Sequence, residues 1–400
     1  MPTEFMVPES FGAVGNGSTD DTTALNNFLT ALQTSGLEGR LSGRTYRVTS
    51  GLTISAPVKL SGCGPASVIN NTNTGLATGI LNVTAAGASG MVLQDFMLNS
   101  SVIASGSTGL VIQGTPLPFK VQGVWVNGTG GGIFVSASQP GSWMDKCNVS
   151  NVTSNSGYHI DAGNMVVTDC YSGNTAKHGY LFTSSSGGSA GLIVKGCTSY
   201  YAGSAGNGQG NGFYFSGNST YNIGALLVAN CVASEVAGGS GFLFDTHGAN
   251  MGLANCYVEL AGFNPSTVII TPNASSFLFT PNNSGVMITN PNATFGTGHG
   301  IEMQCSNFSI VGGFISQVNQ SNASSGSSIV VGTNGAVAAW NITGVNTSFV
   351  GAQNFQKYGV NIYSNSASGV VAGCVLQGTT AAYYNSGSAS LFGYNISLPT

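Results

Sequence analysis

Charged side chains make up only 6% of this 400-residue chain, against about 25% in an ordinary soluble protein. Nine are Lys or Arg, thirteen are Asp or Glu, and the net charge is −4. No basic stripe forms, which argues against nucleic acid as a ligand. For the same reason a strongly anionic polymer meets no general electrostatic attraction. No apolar run approaches the roughly 20 residues that span a membrane as a helix. Residues 1–10 lack the basic and apolar regions of a signal peptide and read as an N-terminal tail, with residues 1–6 either native or left by cloning. The four histidines show no zinc spacing. No Asp-rich calcium loop, Gly-x-Ser-x-Gly elbow or phosphate-cradling loop occurs, so no metal or cofactor is expected.

What the chain has instead is glycine, 60 residues of it, together with 42% apolar residues. The apolar content excludes disorder from low hydrophobicity. The glycine, with abundant Asn, Ser and Thr, describes short strands joined by tight turns. A length of 400 residues is large for one compact core but ordinary for a solenoid, which grows by adding coils.

A repeat supports the solenoid. The blocks WMDKCNVSN, VVTDCYSGN, IVKGCTSYY, LVANCVASE and GLANCYVEL place Cys147, Cys170, Cys197, Cys231 and Cys256 at intervals of 23, 27, 34 and 25 residues. That is the length of one coil, so these cysteines read as a buried stack of small apolar side chains rather than disulfides. The same closing position is held by Phe96, Val124, Phe314, Val345 and Cys374. The residue before it is Asp95, Gly123, Lys146, Asp169, Gly196, Asn230, Asn255, Gly313, Gly344 or Gly373. Gly, Asn and Asp tolerate a left-handed bend, so this column reads as a turn ladder, and Asp95 and Asp169 as structural. After four of the cysteine blocks come GYHID, GYLFT, GFYFS and GFLFD, in which apolar residues alternate with outward ones.

Residues 11–35, FGAVGNGSTDDTTALNNFLTALQTS, combine glycine turns with an acidic helix start. Ala24, Leu25, Phe28, Leu29 and Leu32 then recur at helical spacing, predicting a helix over 21–33. Short strands broken by glycine follow in residues 39–69. Together these segments resemble the opening of the pectate-lyase-3 family, with Asn16 in place of that family's usual Asp. The resemblance covers about 60 residues. It implies an all-β fold, a single-stranded right-handed parallel β-helix whose open end is capped by a short N-terminal α-helix, and assigns capping rather than catalysis to Asp20 and Asp21. The cap is expected over residues 11–70, the β-helix over 71–390, and a closing segment over 391–400. Phage tailspike bodies share this pattern, and the resemblance implies a parallel homotrimer in a virion tail or outside the cell. An outward apolar row of Trp143, Val166, Ile193 and Leu227 fits burial against another subunit.

Charge placement points to a site. Six acids lie in residues 1–95 and six in 143–260, and only Glu302 falls outside; His159, His178 and His247 share the central block. In Gly-Tyr-His-Ile-Asp, His159 and Asp161 face outward together, and in later coils Tyr214 and Asp245 take the same face, with His247 in the turn after. Asp161 and Asp245 lie three rungs apart, roughly 14 Å, too far for a glycosidase pair. A partner is expected from Glu235 or Glu259 in the adjoining turns, or from a neighbouring subunit. Asp161, Asp245, Glu235 and Glu259 are therefore the candidate catalytic carboxylates. His159, Tyr214, His247, His178, Lys195 and Asp145 are the candidate substrate-binding groups, with Lys195 and Asp145 expected outward on one sheet. The glycine-rich stretch 203–212 reads as a loop overhanging the groove. Three activities fit: hydrolysis of a bacterial surface polysaccharide, ranked first; binding of that glycan without cleavage; and a secreted polysaccharide lyase, ranked below hydrolysis because basic residues are few.

Overall fold

The computed structural model describes residues 4–84, 90–102, 104–113, 118–136, 141–161, 163–184, 189–205, 210–263, 274–320, 326–349, 356–388 and 390–398, without the side chains of residues 189 and 190. Two compact units divide the chain, Met1–Ala176 and Lys177–Thr400, and each repeats the same coil. The fold is a right-handed parallel β-helix. One coil lays down three short strands, one in each of three sheets, here called I, II and III in chain order. In the first unit Met91–Gln94, Met97–Ser100 and Thr108–Ile112 are such a set. In the second, Leu227–Ala229, Val232–Ser234 and Phe242–Asp245 are another. Every described pairing between named strands is parallel. No helix among the described residues is long and apolar enough to cross a membrane.

Sheets I and II are joined by one residue in the left-handed region. Its φ is 58° at Asp95, 51° at Lys146, 51° at Asp169, 53° at Asn230 and 52° at Asn255. The expected turn ladder is therefore present. One rung of it is misplaced by the sequence reading: Phe314 pairs with Asn292, the residue after the closing position, and is half-buried. Gly312 and Gly313 both have positive φ, and Gly312, not Gly313, makes the ladder's hydrogen bond to the next coil. Asn290, φ 48°, is the rung before it.

Inside, the cysteines form the expected stack. Cys147, Cys170, Cys197, Cys231 and Cys256 are each at most 1% exposed, and all eight cysteines are free thiols. Neighbouring Cys197 and Cys256, with burial, push the Cys231 thiol well above its ordinary value, so it is an inert packing group. In the second unit the inward positions of sheet III carry two aromatic files. Tyr180, Phe213, Phe242 and Phe277 stack at centroid spacings of 4.6, 4.6 and 5.2 Å, and Phe182, Phe215, Phe244 and Phe279 at 4.9, 4.8 and 4.5 Å. The spacing matches the rung repeat of about 4.8 Å, so each ring is held flat on the next.

The helix runs Thr22–Ser35 and buries Leu25, Phe28, Leu29 and Leu32. Asp21 departs from the expected role. Its carboxylate accepts hydrogen bonds from the Val14 and Gly15 amides at 2.7 and 3.0 Å and makes no side-chain cap. It ties down the glycine loop before the helix, while Asp20 accepts the Thr22 amide at 3.0 Å. Asn16 performs an Asx turn, accepting the Ser18 and Thr19 amides at 2.9 and 2.8 Å, a job for which its amide oxygen serves as well as a carboxylate. Phe5–Met6 of the tail forms a strand against Glu38–Gly39. The closing segment continues the rungs, Leu391–Gly393 pairing with Val370–Ala372.

The glycine before the sheet III strand Phe242–Asp245 is a steric requirement. A Cβ on Gly241 would stand 2.5 Å from Val258 Cγ1 and 2.9 Å from the Ser276 carbonyl. Gly241→Ala is expected to destabilise the second unit by about 1–3 kcal/mol, read as a lowered thermal midpoint with unchanged far-UV circular dichroism below it.

Candidate functional site

In the second unit, the outer face of sheet III gathers the polar groups. Phe213–Ser216, Phe242–Asp245, Phe277–Phe279 and Ile301–Met303 are consecutive strands, alternating buried and part-exposed residues. Their registers align Tyr214, Leu243, Leu278 and Glu302 in one outward file, with Ser216 beside Asp245 in the next. Asp245 Oδ1 accepts hydrogen bonds from Thr280 Oγ1 at 2.7 Å and Asn282 Nδ2 at 3.0 Å, and His247 Nε2 lies 3.9 Å from the same oxygen. The Tyr214 ring packs on the His178 ring at 5.2 Å, and His178 Nδ1 accepts the Asn211 amide at 3.1 Å. Stretch 203–212, expected to overhang Tyr214, includes residues 206–209, which lie outside the described residues.

Glu302 is the residue that sequence reasoning set aside, and it belongs to this face. Its Oε2 accepts from Ser275 Oγ, and its Oε1 from Gln304 Nε2 and Thr333 Oγ1, each at 2.7 Å. Two rungs and an offset of two residues along the strand separate Asp245 from Glu302, on the order of 12 Å at their backbones, with Thr280 bonded to the first carboxylate and Gln304 to the second. The signal for Glu302 was present in GIEMQ, residues 300–304, which repeats the glycine-in-out-in pattern of GFLFD.

The other expected residues are distributed. Glu235 occupies a left-handed turn, φ 53°, at the end of sheet II and bonds through its amide to the Glu259 carbonyl. Glu259 pairs with Ser234, one position out of register with Glu235, so neither stands on the sheet III face with Asp245. Lys195 is exposed at the end of Ile193–Lys195 in sheet I. In the first unit, His159 and Asp161 do take the outward positions of Tyr158–Asp161. His159 meets Phe134 edge-on at 5.0 Å in a cavity of about 150 Å³ with Thr108, Asn155 and Ser156. Asp145 is a correction: it is only 5% exposed. Gln122 Nε2 and Thr168 Oγ1 from the flanking rungs donate to its carboxylate at 3.0 and 2.8 Å, covering it from both sides.

No family model matches the sequence, and no curated protein does. Solved structures do match. Tailspike protein 2 of Escherichia coli O157:H7 bacteriophage CAB120 aligns with a TM-score of 0.58 and 13% identity, over 86% of this chain and 42% of that one. The A-module of mannuronan C-5 epimerase AlgE4 from Azotobacter vinelandii gives 0.61 and 14%, over 97% and 100%. The catalytic unit of the GH87 α-1,3-glucanase from Streptomyces thermodiastaticus strain HF3-3 gives 0.57 and 15%, over 99% and 69%. The likeness is one of fold. It is the right-handed parallel β-helix, an architecture that carries different activities on one frame. This chain spans less than half of the tailspike's length.

The titration of the sheet III face follows from its bonds. Burial raises the Glu302 carboxyl, but attraction to His299 and hydrogen bonds from Thr333, Ser275 and Gln304 outweigh it and hold the group below its ordinary 4.5. Burial pushes the His299 imidazole below its ordinary 6.5, against the pull of Glu302. Its Nδ1 accepts the Ser327 amide at 3.1 Å, a bond that requires this nitrogen unprotonated. Attraction to His299 and the three donors together hold the Glu302 carboxyl low. Both groups bind protons more weakly folded than unfolded, so each stabilises above its unfolded value and loses that contribution as pH falls. His299 acts first, below its ordinary 6.5, and Glu302 below 4.5. The thermal midpoint is expected to fall on acidification from pH 6.5. His299→Asn, which keeps an acceptor for Ser327, should flatten the upper part of that fall and, with the attraction to Glu302 removed, shrink the lower part as well.

Proposed function

We propose that this chain binds a polysaccharide along the outer face of sheet III and hydrolyses a glycosidic bond there, with Asp245 and Glu302 as the working carboxylates. The observation that carries the reading is their placement on one face, two rungs apart. A backbone separation on the order of 12 Å, which side chains can close in part, fits the wider carboxyl spacing of inverting hydrolysis, which leaves room for a water, better than the close spacing that direct attack by a carboxylate requires. Glu302 uses three acceptor positions on protein donors of the roughly four that a carboxylate has, and the last, on Oε2, suits an activated water. Asp245 would stand beside the leaving oxygen, with His247 Nε2 3.9 Å from its Oδ1. Tyr214 offers a ring face for sugar stacking. Elimination is the weaker chemistry here, because no Lys or Arg occupies an outward position of these four strands. The glucanase and the tailspike among the structural neighbours support a glycan-directed role.

A reducing-end assay on a panel of bacterial surface polysaccharides tests this. Asp245→Asn and Glu302→Gln are each expected to lower kcat by about 10²–10⁴-fold while glycan binding persists. Binding to the host glycan with no product from the wild-type chain would leave a recognition spike. That second reading draws on how fully Glu302 is engaged by its neighbours.

We infer further that the chain is a tailspike-like body working in a virion tail or outside the cell, as a homotrimer. In the second unit the outward file of sheet I aligns Leu227, Gly252, Met287, Ser309, Asn341, Val370 and Leu391. Leu227, Met287, Val370 and Leu391 are 44, 60, 39 and 68% exposed. An aligned apolar file of this kind favours burial against another chain. Light scattering is expected to give three times the monomer mass, and a monodisperse monomer would refute the assembly.

A further inference from the structure

One pocket lies away from sheet III, on the outer face of sheet I in the first unit. Its volume is about 300 Å³, and Glu38, Lys59, Ser61, Val92, Gln94 and Lys120 line it above Leu60. Lys59, Val92 and Lys120 are consecutive in one outward file, so the two lysines stand two rungs apart, about 10 Å at their backbones. Their four-carbon stems let both ammonium groups close on one anion between them. This places two of only nine cations in the chain in a single pocket. The pocket's one acid, Glu38, stands one rung from Lys59 in the same file and is attracted to it, while its Oε1 accepts from Arg40 Nε and Ser61 Oγ, each at 3.0 Å. Arg40 is itself held over the Phe5 ring at 4.3 Å. Neither lysine forms a salt bridge among the described residues. Lys120 Nζ instead rests over the Trp143 ring, 4.9 Å from its centroid.

We propose that this pocket binds an acidic sugar residue, a uronate, through its carboxylate. Lys59 and Lys120 take the carboxylate in charge-assisted hydrogen bonds. Ser61 and Gln94 face the ring hydroxyls, and the half-buried Val92 side chain forms the floor under the ring. A volume of about 300 Å³ is at the small end of ligand sites, the size of a single unit of a chain rather than of a long segment. The positive field of the pocket comes from this chain's residues alone; that its occupant is a sugar rests on the polysaccharide reading above. The chain would then carry two glycan-binding places, a lysine-lined anchor on sheet I of the first unit and the carboxylate-bearing face of sheet III in the second.

The test titrates the full chain with sodium glucuronate, glucose and sodium sulfate, by calorimetry and by Trp143 fluorescence. Glucuronate is expected to bind saturably and more weakly in high salt, with a change in tryptophan emission as Lys120 leaves the ring. Glucose should bind at least about tenfold more weakly, and the Lys59→Met/Lys120→Met variant should lose about tenfold or more in glucuronate affinity at an unchanged thermal midpoint. Asp245→Asn should bind glucuronate as the wild type does. No saturable glucuronate binding, equal binding of glucose, or indifference to the lysine substitutions would overturn the site. Sulfate binding as tight as glucuronate would overturn the sugar assignment. Lysine-dependent glucuronate binding by a chain that neither binds nor cuts polysaccharide would uphold this pocket and refute the sheet III reading. Polysaccharide hydrolysis without glucuronate binding would do the reverse.

Discussion

Beside the strand ladders, a backbone hydrogen bond at the left-handed turn between sheets I and II ties coil to coil. In the first unit the amides of Asp95, Gly123 and Lys146 donate to the carbonyls of Gln122, Asp145 and Thr168 at 3.0, 2.9 and 3.0 Å. In the second, those of Asn230, Asn255, Asn290 and Gly312 donate to Ala254, Thr289, Val311 and Thr343 at 2.9, 2.9, 2.8 and 2.8 Å. A residue in this conformation turns the chain in one step while its amide continues the ladder. The side chain after it is thereby forced inward and the one after that outward. Phase is thus set once per coil. The cysteine stack and the outward files of sheets I and II inherit it directly, and those of sheet III inherit it across a second turn.

That constraint explains what could be read from the residues alone. Left-handed turns leave a chemical trace, because Gly, Asn and Asp are the residues that adopt them cheaply, and a buried cysteine one step later leaves another. The fold, the inward tyrosine and phenylalanine positions, and the outward facing of His159, Asp161, Tyr214 and Asp245 were all legible by this route. Where two turn-competent residues stand side by side, as Gly312 and Gly313 do, the trace is ambiguous by one position. A one-residue slip exchanges the faces of every side chain in the strand, which is why Phe314 was set inside when its column lies outside. Glu302 was hidden for a related reason. The coil that begins at Cys256 does not reach its sheet III strand until Phe277, and that strand opens on Ser276 rather than glycine, so the pattern lapses for one coil and resumes at Gly300.

The fate of an outward carboxylate depends on its neighbours above and below, which a linear sequence does not display. Asp145, Asp245 and Glu302 all occupy outward positions at or near the ends of short strands. Asp145 has a glutamine on one side and a threonine on the other, and both donate to it; the result is a buried structural group. Glu302 draws three donors from its own and adjoining coils but keeps a share of one oxygen. Asp245 has Thr280 and Asn282 on one oxygen only. The three cases grade from closed to open, and the open end of that series is where substrate chemistry fits.

The scarcity of charge follows from the same stacking. In a file of side chains repeating every 4.8 Å or so, two like charges on adjacent rungs repel by roughly 1 kcal/mol in water and about 3–4 kcal/mol at an effective dielectric of 20. An asparagine avoids this, since its amide donates to one neighbour and accepts from the other. The first unit contains such a file: Asn99 donates to Asn70, Asn127 to Asn99, Asn151 to Asn127 and Asn174 to Asn151, at 2.7, 2.9, 2.8 and 2.9 Å. A solenoid can therefore solvate and bond its surface with neutral amides and hydroxyls, and has little use for ions in maintaining the fold. Charges that persist against this background are local by construction. An overall charge of −4 argues against a general pull on an anionic polymer, yet it is compatible with two lysines facing one pocket, because the field that a ligand meets is set by the nearest rungs and not by the whole chain.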